Sequence, residues 1–211
     1  MSSRFYNEWR YCNSGGQGWV RVSAVGRVNS TENNVENDTG TMTSDFTPAF
    51  IDFEASSLDL IASYPIEVGI CMPDGELHSW LISPHVLWQD WSESAERIHG
   101  ISRETLNEEG MAVAEVAQQL NSLLPDQVFC DAWTFDSFWL HRLFRAAKAQ
   151  PNFQLESISM LLNSQQVRHW SGVRQQVISD LGLPVHRAAN DALILHKTWE
   201  RIIFQDEAAV Q

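Results

Sequence analysis

From Thr47 onward, apolar positions fall first into short runs and then into helical stripes. Phe50 to Phe53 predicts a strand, Ile66 to Cys71 a second and Leu77 to Ile82 a third. Pro73, Asp74 and Gly75 supply the turn of a hairpin between the last two. Val113, Val116, Ala117, Leu120 and Leu124 recur at the spacing of one helix face. Pro125 and Asp126 stop that helix, and Gln127 to Asp131 predicts a short buried strand. The remainder predicts helices. One is striped by Phe135, Phe138, Trp139, Leu143 and Ala146, and another by Val167, Trp170, Val177 and Leu181. The last carries Ala188, Asp191, Ala192, Leu195, Trp199 and Ile202. An antiparallel hairpin, then a strand reached by a crossover, makes an α/β domain with a mixed sheet.

Residues 1 to 45 lack this order. Ser30 to Thr43 is polar and rich in turn formers, which reads as linker or disorder. Upstream, Trp9, Tyr11 and Trp19 stand among glycines and serines with no clear helix or strand period. The expected organisation is a poorly structured N-terminal extension, 1–45, followed by an α/β domain over 46–205. The extension could dock on the domain or on a partner; the simpler expectation is that Met42 begins the functional chain.

Charge and cysteine usage narrow the class. A net charge of −13 argues against a nucleic-acid coat protein or any binder that relies on a broad basic surface. It does not exclude a nucleic-acid enzyme, because cations held by clustered carboxylates reverse the field locally. Cys12, Cys71 and Cys130 are odd in number and lack CxxC spacing, so neither a disulfide framework nor a zinc site is expected. Free thiols fit a reducing, cytoplasmic setting. No apolar run approaches the roughly 18 residues of a spanning helix, so no membrane partner is expected.

Three places break the ordinary hydrophobic rules. In Ile51-Asp52-Phe53-Glu54, alternation along a strand puts Asp52 and Glu54 on one face. Paired carboxylates repel and lose hydration when buried, and a divalent cation with a taste for oxygen ligands is the natural compensation. Taken alone the pair reads as a solvated strand edge, where two acids are harmless. Asp191 lies on the apolar stripe of its own helix, where a charge should face the core; a favourable helix-dipole position explains its sign but not its face. Asp136 opens the helix after the buried strand, an ordinary place for an acid, and Asp131 at the strand end is a rival for the same role. His186, in the loop before Asp191, could overhang such a site and take a proton from water. The remaining histidines, His99 and His196 among them, read as surface or packing residues.

These segments resemble the motifs of the DEDD exonuclease superfamily in its histidine branch (the DnaQ-like enzymes). Phe50 to Leu58 (FIDFEASSL) resembles the first motif, Val128 to Leu140 (VFCDAWTFDSFWL) the second with Phe135-Asp136 as its pair, and His186 to Asp191 (HRAAND) the third. Ile98-His99-Gly100-Ile101 is similar to a segment common between the first two, and the likeness spans about Thr47 to Ile203. Ser57 stands where the family often has glycine, and the Asp131–Asp136 segment looks one residue longer than in proofreading subunits.

The resemblance implies an RNase H-like fold, a central five-stranded mixed sheet flanked by helices. It also implies a 3′→5′ exonuclease that hydrolyses terminal phosphodiesters of DNA or RNA and releases nucleoside 5′-monophosphates. Asp52, Glu54, Asp136 and Asp191 would hold two divalent cations, Mg²⁺ or Mn²⁺, with Glu54 and His186 in catalysis and His186 as general base. Ser56, Ser57 and Leu58 would line the terminal nucleotide's pocket, and Trp133 would stack a base, its other reading being core packing. Arg142, Arg145 and Lys148 read as a solvated helix face, with guidance of the strand backbone as the functional alternative. The partner implied is a single-stranded 3′ end; a homodimer is compatible, and nothing points to a polymerase partner. The alternative is a catalytically silent nucleic-acid-binding or partner-recruiting module on the same fold.

Overall fold

The computed structural model describes residues 7–12, 18–23 and 46–209. They belong to two units, Met1–Thr43 and Ser44–Gln211. In the first, strand β1 (Asn7–Cys12) pairs antiparallel with β2 (Gly18–Ser23), Trp9 standing opposite Arg21 and Tyr11 opposite Trp19. A strand pair thus occurs where the sequence shows no clear period. The linker expected over Ser30 to Thr43 lies outside the described residues.

The second unit is built on a five-stranded mixed sheet. Its strands are β3 (Ala49–Ala55), β4 (Pro65–Cys71), β5 (Leu77–Leu81), β6 (Gln127–Cys130) and β7 (Gln154–Ser157), in the order β5-β4-β3-β6-β7. β3, β4 and β5 are antiparallel, while β6 and β7 run parallel to β3. The β4–β5 turn is closed by the Met72 amide donating to the Glu76 carbonyl, with Gly75 at a φ of 86°. This is the hairpin expected around Pro73-Asp74-Gly75. Six helices flank the sheet: α1 (Glu93–His99), α2 (Arg103–Glu109), α3 (Val113–Leu123), α4 (Trp133–Ala146), α5 (Ser164–Leu181) and α6 (Ala188–Ala209). The expected mixed five-stranded α/β architecture is the one observed.

Alternation along β3 divides the packing. Ile51, Phe53 and Ala55 face the larger core, with Val116, Ala117 and Leu120 of α3 and Leu140, Leu143 and Phe144 of α4. Phe50 faces the other way and packs with Cys71, Phe129 and the α6 residues Ala192, Leu195 and Trp199. Asp52 and Glu54 share parity with Phe50, so they project toward the α6 side of the sheet.

One row of β4 seats α6. Glu67, Gly69 and Cys71 stand opposite Glu54, Asp52 and Phe50, respectively, in the β3–β4 register. Glu67, almost fully buried, accepts from Arg187 Nε at 3.1 Å and Nη2 at 2.8 Å, and from the Ala188 amide at 3.1 Å. A carboxylate there satisfies an orphan N–H at the start of α6 and faces the positive end of its dipole. Gly69 lies against Ala188 and Ala189 so closely that a Cβ would collide with their backbone. Cys71 Sγ lies 3.2 Å from Nδ1 of His196, whose Nε2 pairs with Glu200 at 2.9 Å. This sequence of contacts along one strand sets the height at which α6 crosses the sheet.

Candidate active site

The C-terminal half of β3, the end of β6, the first turn of α4 and the start of α6 converge on one acidic cluster. β3 and β6 are parallel, so their carboxyl ends lie together, the usual place for a site in an α/β sheet. Two separate sets of ligand-type atoms form there, the atoms of each lying within 4.8 Å of one another: Glu54, His186 and Asp191 in one, and Asp52, Asp131 and Asp136 in the other. All four predicted ligand carboxylates are in the cluster. Asp131 joins Asp136 there instead of replacing it.

The cluster is charged against its own burial. Burial, then Asp136, Asp191 and Glu54, push the Asp52 carboxyl well above the usual range. Burial, then Asp191 and Glu67, raise Glu54 to about 8. Asp136 is 1% exposed, and burial followed by Asp131 lifts it to about 7 against an opposing Cys130 hydrogen bond. Burial also raises Asp191, opposed by backbone N–H groups and Arg174. Every one of these four groups takes protons more readily than it should. A divalent cation is the compensation that burial otherwise withholds. The donor set fits one: carboxylate oxygens and one imidazole suit Mg²⁺ or Mn²⁺, and Asp136 Oδ2 is buried with no hydrogen-bond partner.

Backbone geometry holds the third segment in place. Asp191 Oδ2 accepts from the His186 amide at 2.6 Å and the Arg187 amide at 3.2 Å, closing the loop onto the first turn of α6. His186 takes a left-handed conformation, φ 62°, which turns the chain into the helix and leaves its side chain exposed above Glu54 and Asp191.

The expected substrate contacts behave differently from one another. Ser56 is fully buried; its hydroxyl donates to Asp90 at 2.8 Å and accepts from the Tyr64 amide at 3.1 Å. Ser57 donates to the same Asp90 oxygen at 2.7 Å. Leu58, by contrast, is 72% exposed, and Trp133 is half-exposed with Nε1 donating to the Leu155 carbonyl at 3.1 Å. Of the α4 cations, Arg142 donates to the Ile61 carbonyl at 2.8 Å, whereas Arg145 and Lys148 have no partner among the described residues.

Arg174 and Asp90 lie outside the three motifs. Arg174 of α5 stands between Asp131 and Asp191. Asp90 ties the β3–β4 loop to the segment before α1. His99, of the His-Gly-Ile segment, is buried; its Nδ1 accepts from the Ile101 amide at 3.0 Å, so Nε2 carries the hydrogen and has no acceptor among the described residues. Burial lowers its proton affinity, with Glu67, Arg187 and His186 also felt there.

Known structures share this fold. The chain is similar to Escherichia coli exonuclease I in complex with a dA16 oligonucleotide: 14% identity, TM-score 0.55, over 71% of this chain and 39% of that one. It is similar to the zinc-bound form of the E. coli exonuclease I–single-stranded DNA complex at 14% identity and TM-score 0.56, over 71% and 38%. A product-bound exonuclease I matches at 13% identity and TM-score 0.53, over 73% and 44%. The chain therefore spans less than half the length of these enzymes. No protein-family model matches the sequence, and no curated protein matches it. Identities this low carry the fold alone: it is the RNase H-like fold of the exonuclease structures, the fold expected from the sequence.

Proposed function

We propose that this chain is a metal-dependent 3′→5′ exonuclease that releases nucleoside 5′-monophosphates from single-stranded nucleic-acid ends. One observation carries the reading. Carboxylates from three distant segments are driven together, half-buried or buried, at the carboxyl ends of parallel strands, in a fold shared with exonuclease I. A protein has no structural reason to gather so many like charges with a single arginine at ion-pair distance, because each costs stability unless a cation answers it.

Asp52, Glu54, Asp136 and Asp191 are the residues that would hold two Mg²⁺ or Mn²⁺ ions, with Asp131 beside them. Bound there, such ions supply Lewis-acid activation of water and stabilise charge on the leaving 3′ oxygen. The chain does the rest. β3 and α6 fix Asp52, Glu54 and Asp191 in one cluster with Asp136 of α4. The imidazole of His186, held over Glu54 and Asp191 by the Asp191–backbone bonds, accepts the proton of the attacking water at a ring nitrogen. Leu58 and Trp133 offer exposed apolar surface for the terminal bases, a contact indifferent to the net negative charge of the protein. The Ser56 and Ser57 hydroxyls act through Asp90, shaping the loop that carries Leu58.

The test is degradation of 5′-labelled single-stranded DNA and RNA with Mn²⁺ or EDTA, beside Asp191→Ala. A ladder shortening from the 3′ end, absent with EDTA and in the variant, is the expected result. Intact strands with folded, metal-loaded protein would overturn it in favour of a silent nucleic-acid-binding module.

A further inference from the structure

Among the ten lysines and arginines of the catalytic unit, most are committed. Arg187 is hydrogen-bonded to Glu67, Lys197 to Glu200 at 2.7 Å and Arg201 to Asp180 at 2.8 Å. Arg174 is different. Its Nε lies 3.6 Å from Asp131 Oδ2 and its Nη2 3.7 Å from Asp191 Oδ1. These separations are too long for hydrogen bonds, and Nε is buried with no hydrogen-bond partner. An arginine evolved only to brace α5 would be expected to dock as Arg187 does, fork to carboxylate. Arg174 instead lies beside one carboxylate from each set, with its side chain 31% exposed.

We propose that Arg174 is a phosphate-binding residue of this site, held as counter-cation to Asp131 and Asp191 until divalent ions take those carboxylates. The inference rests on the metal-site reading above. Its logic is electrostatic. A guanidinium near two ligands competes with incoming cations, so it weakens metal binding by the charge it already supplies. Once the carboxylates are neutralised by metal, the partly exposed guanidinium keeps its planar fork of donors for an anion. The planar fork matches two oxygens of a phosphate. Arg174 thereby makes substrate binding dependent on metal loading: the empty cluster holds the arginine, and the filled cluster releases it.

The experiment uses the full chain and compares wild type, Arg174→Gln and Arg174→Lys. Mn²⁺ binding is titrated calorimetrically without nucleotide; then binding of a nucleoside 5′-monophosphate is titrated at saturating Mn²⁺. In Arg174→Gln, Mn²⁺ should bind roughly 3- to 10-fold tighter, following loss of a competing charge near the surface. The nucleotide should bind about 10- to 100-fold more weakly, the usual loss for a charge-assisted hydrogen-bonded pair. Arg174→Lys should return Mn²⁺ affinity toward wild type while recovering only part of the nucleotide affinity. Unchanged or weaker Mn²⁺ binding in Arg174→Gln, or unchanged nucleotide affinity, overturns the proposal while leaving the metal site standing. Failure of wild type to bind Mn²⁺ overturns the metal-site reading itself. Circular dichroism of both variants separates these outcomes from misfolding, and Arg174→Lys keeps the comparison usable if the glutamine variant does not fold.

Discussion

Without metal, the protein should lose stability as the pH rises. Glu54 moves from 4.5 to about 8 and Asp136 from 3.8 to about 7 on folding, burial being the largest cause for both. Between the lower and upper values the native state holds protons that the unfolded chain has released, so unfolding is favoured as pH increases. The stabilisation is complete below the lower value and gone above the upper one. Each such proton is worth about 1.4 kcal/mol per pH unit. From about pH 6 to about pH 8, Glu54 titrates across most of the interval and Asp136 across half, which gives about 4 kcal/mol if they acted independently. They do not, and Glu54 is partly solvated, so about 2 kcal/mol is the magnitude to expect. For a chain of this size that is about 4–8 °C in Tm. The assay is thermal melting in EDTA at stepped pH, with Glu54→Gln beside wild type. The slope should be negative in wild type and shallower in the variant. With Mn²⁺ the trend should invert, because ligand carboxylates must be ionised to bind and the metal-induced rise in Tm grows with pH. A flat or rising stability curve in EDTA would refute the reasoning, since the carboxylates would then be ionised at no cost.

Two further outcomes test how the site is assembled. Gly69→Ala places a methyl group against the Ala188–Ala189 backbone, so α6 must lift from β4. A loss of about 1–3 kcal/mol or more in urea unfolding, together with weaker Mn²⁺ binding, is expected; unaltered metal affinity would show that α6 height does not set the Asp191 position. His186→Ala should slow turnover about 10²- to 10⁴-fold while leaving Mn²⁺ affinity near wild type. Its ring reaches within ligand distance of Glu54 and Asp191, so a collapse of Mn²⁺ binding instead would make it a ligand.

Much of this arrangement was legible in the chain itself, for reasons that differ by element. β3, β4, β5 and β6 stand out as apolar runs, and α3 to α6 are long enough to show a 3.6-residue stripe. α1 and α2 have seven residues each, too few for a stripe, and are defined by the Ser92 and Ser102 caps, which accept from the Ala95 and Thr105 amides. β7 escaped notice because Gln154–Ser157 is a partly exposed edge strand with little apolar signal. In β1, Glu8, Trp9, Arg10 and Tyr11 alternate polar with aromatic, a short strand period that a search for longer stripes passes over.

The site divides in the same way. Asp52, Glu54 and Asp191 announce themselves by breaking a local face rule, and His186 by its distance from Asp191. Glu67 carries a similar signal, a lone charge in a strand buried along its whole length. His99 is marked only by the His-Gly-Ile segment it belongs to, and Arg174 and Asp90 carry no signal. Their places follow from how α5 packs on α6 and how the loop before α1 closes over β3, long-range consequences that no local spacing encodes.

The most direct test of the central claim is to identify what the first turnover releases. A single strand whose 3′-terminal nucleotide differs from all others is incubated with Mn²⁺ and wild-type or Asp52→Asn protein, and the earliest products are resolved by chromatography. The account predicts that the terminal nucleotide appears first, as its 5′-monophosphate, from wild type alone. Release from the 5′ end, internal fragments, or equal release by Asp52→Asn would contradict it.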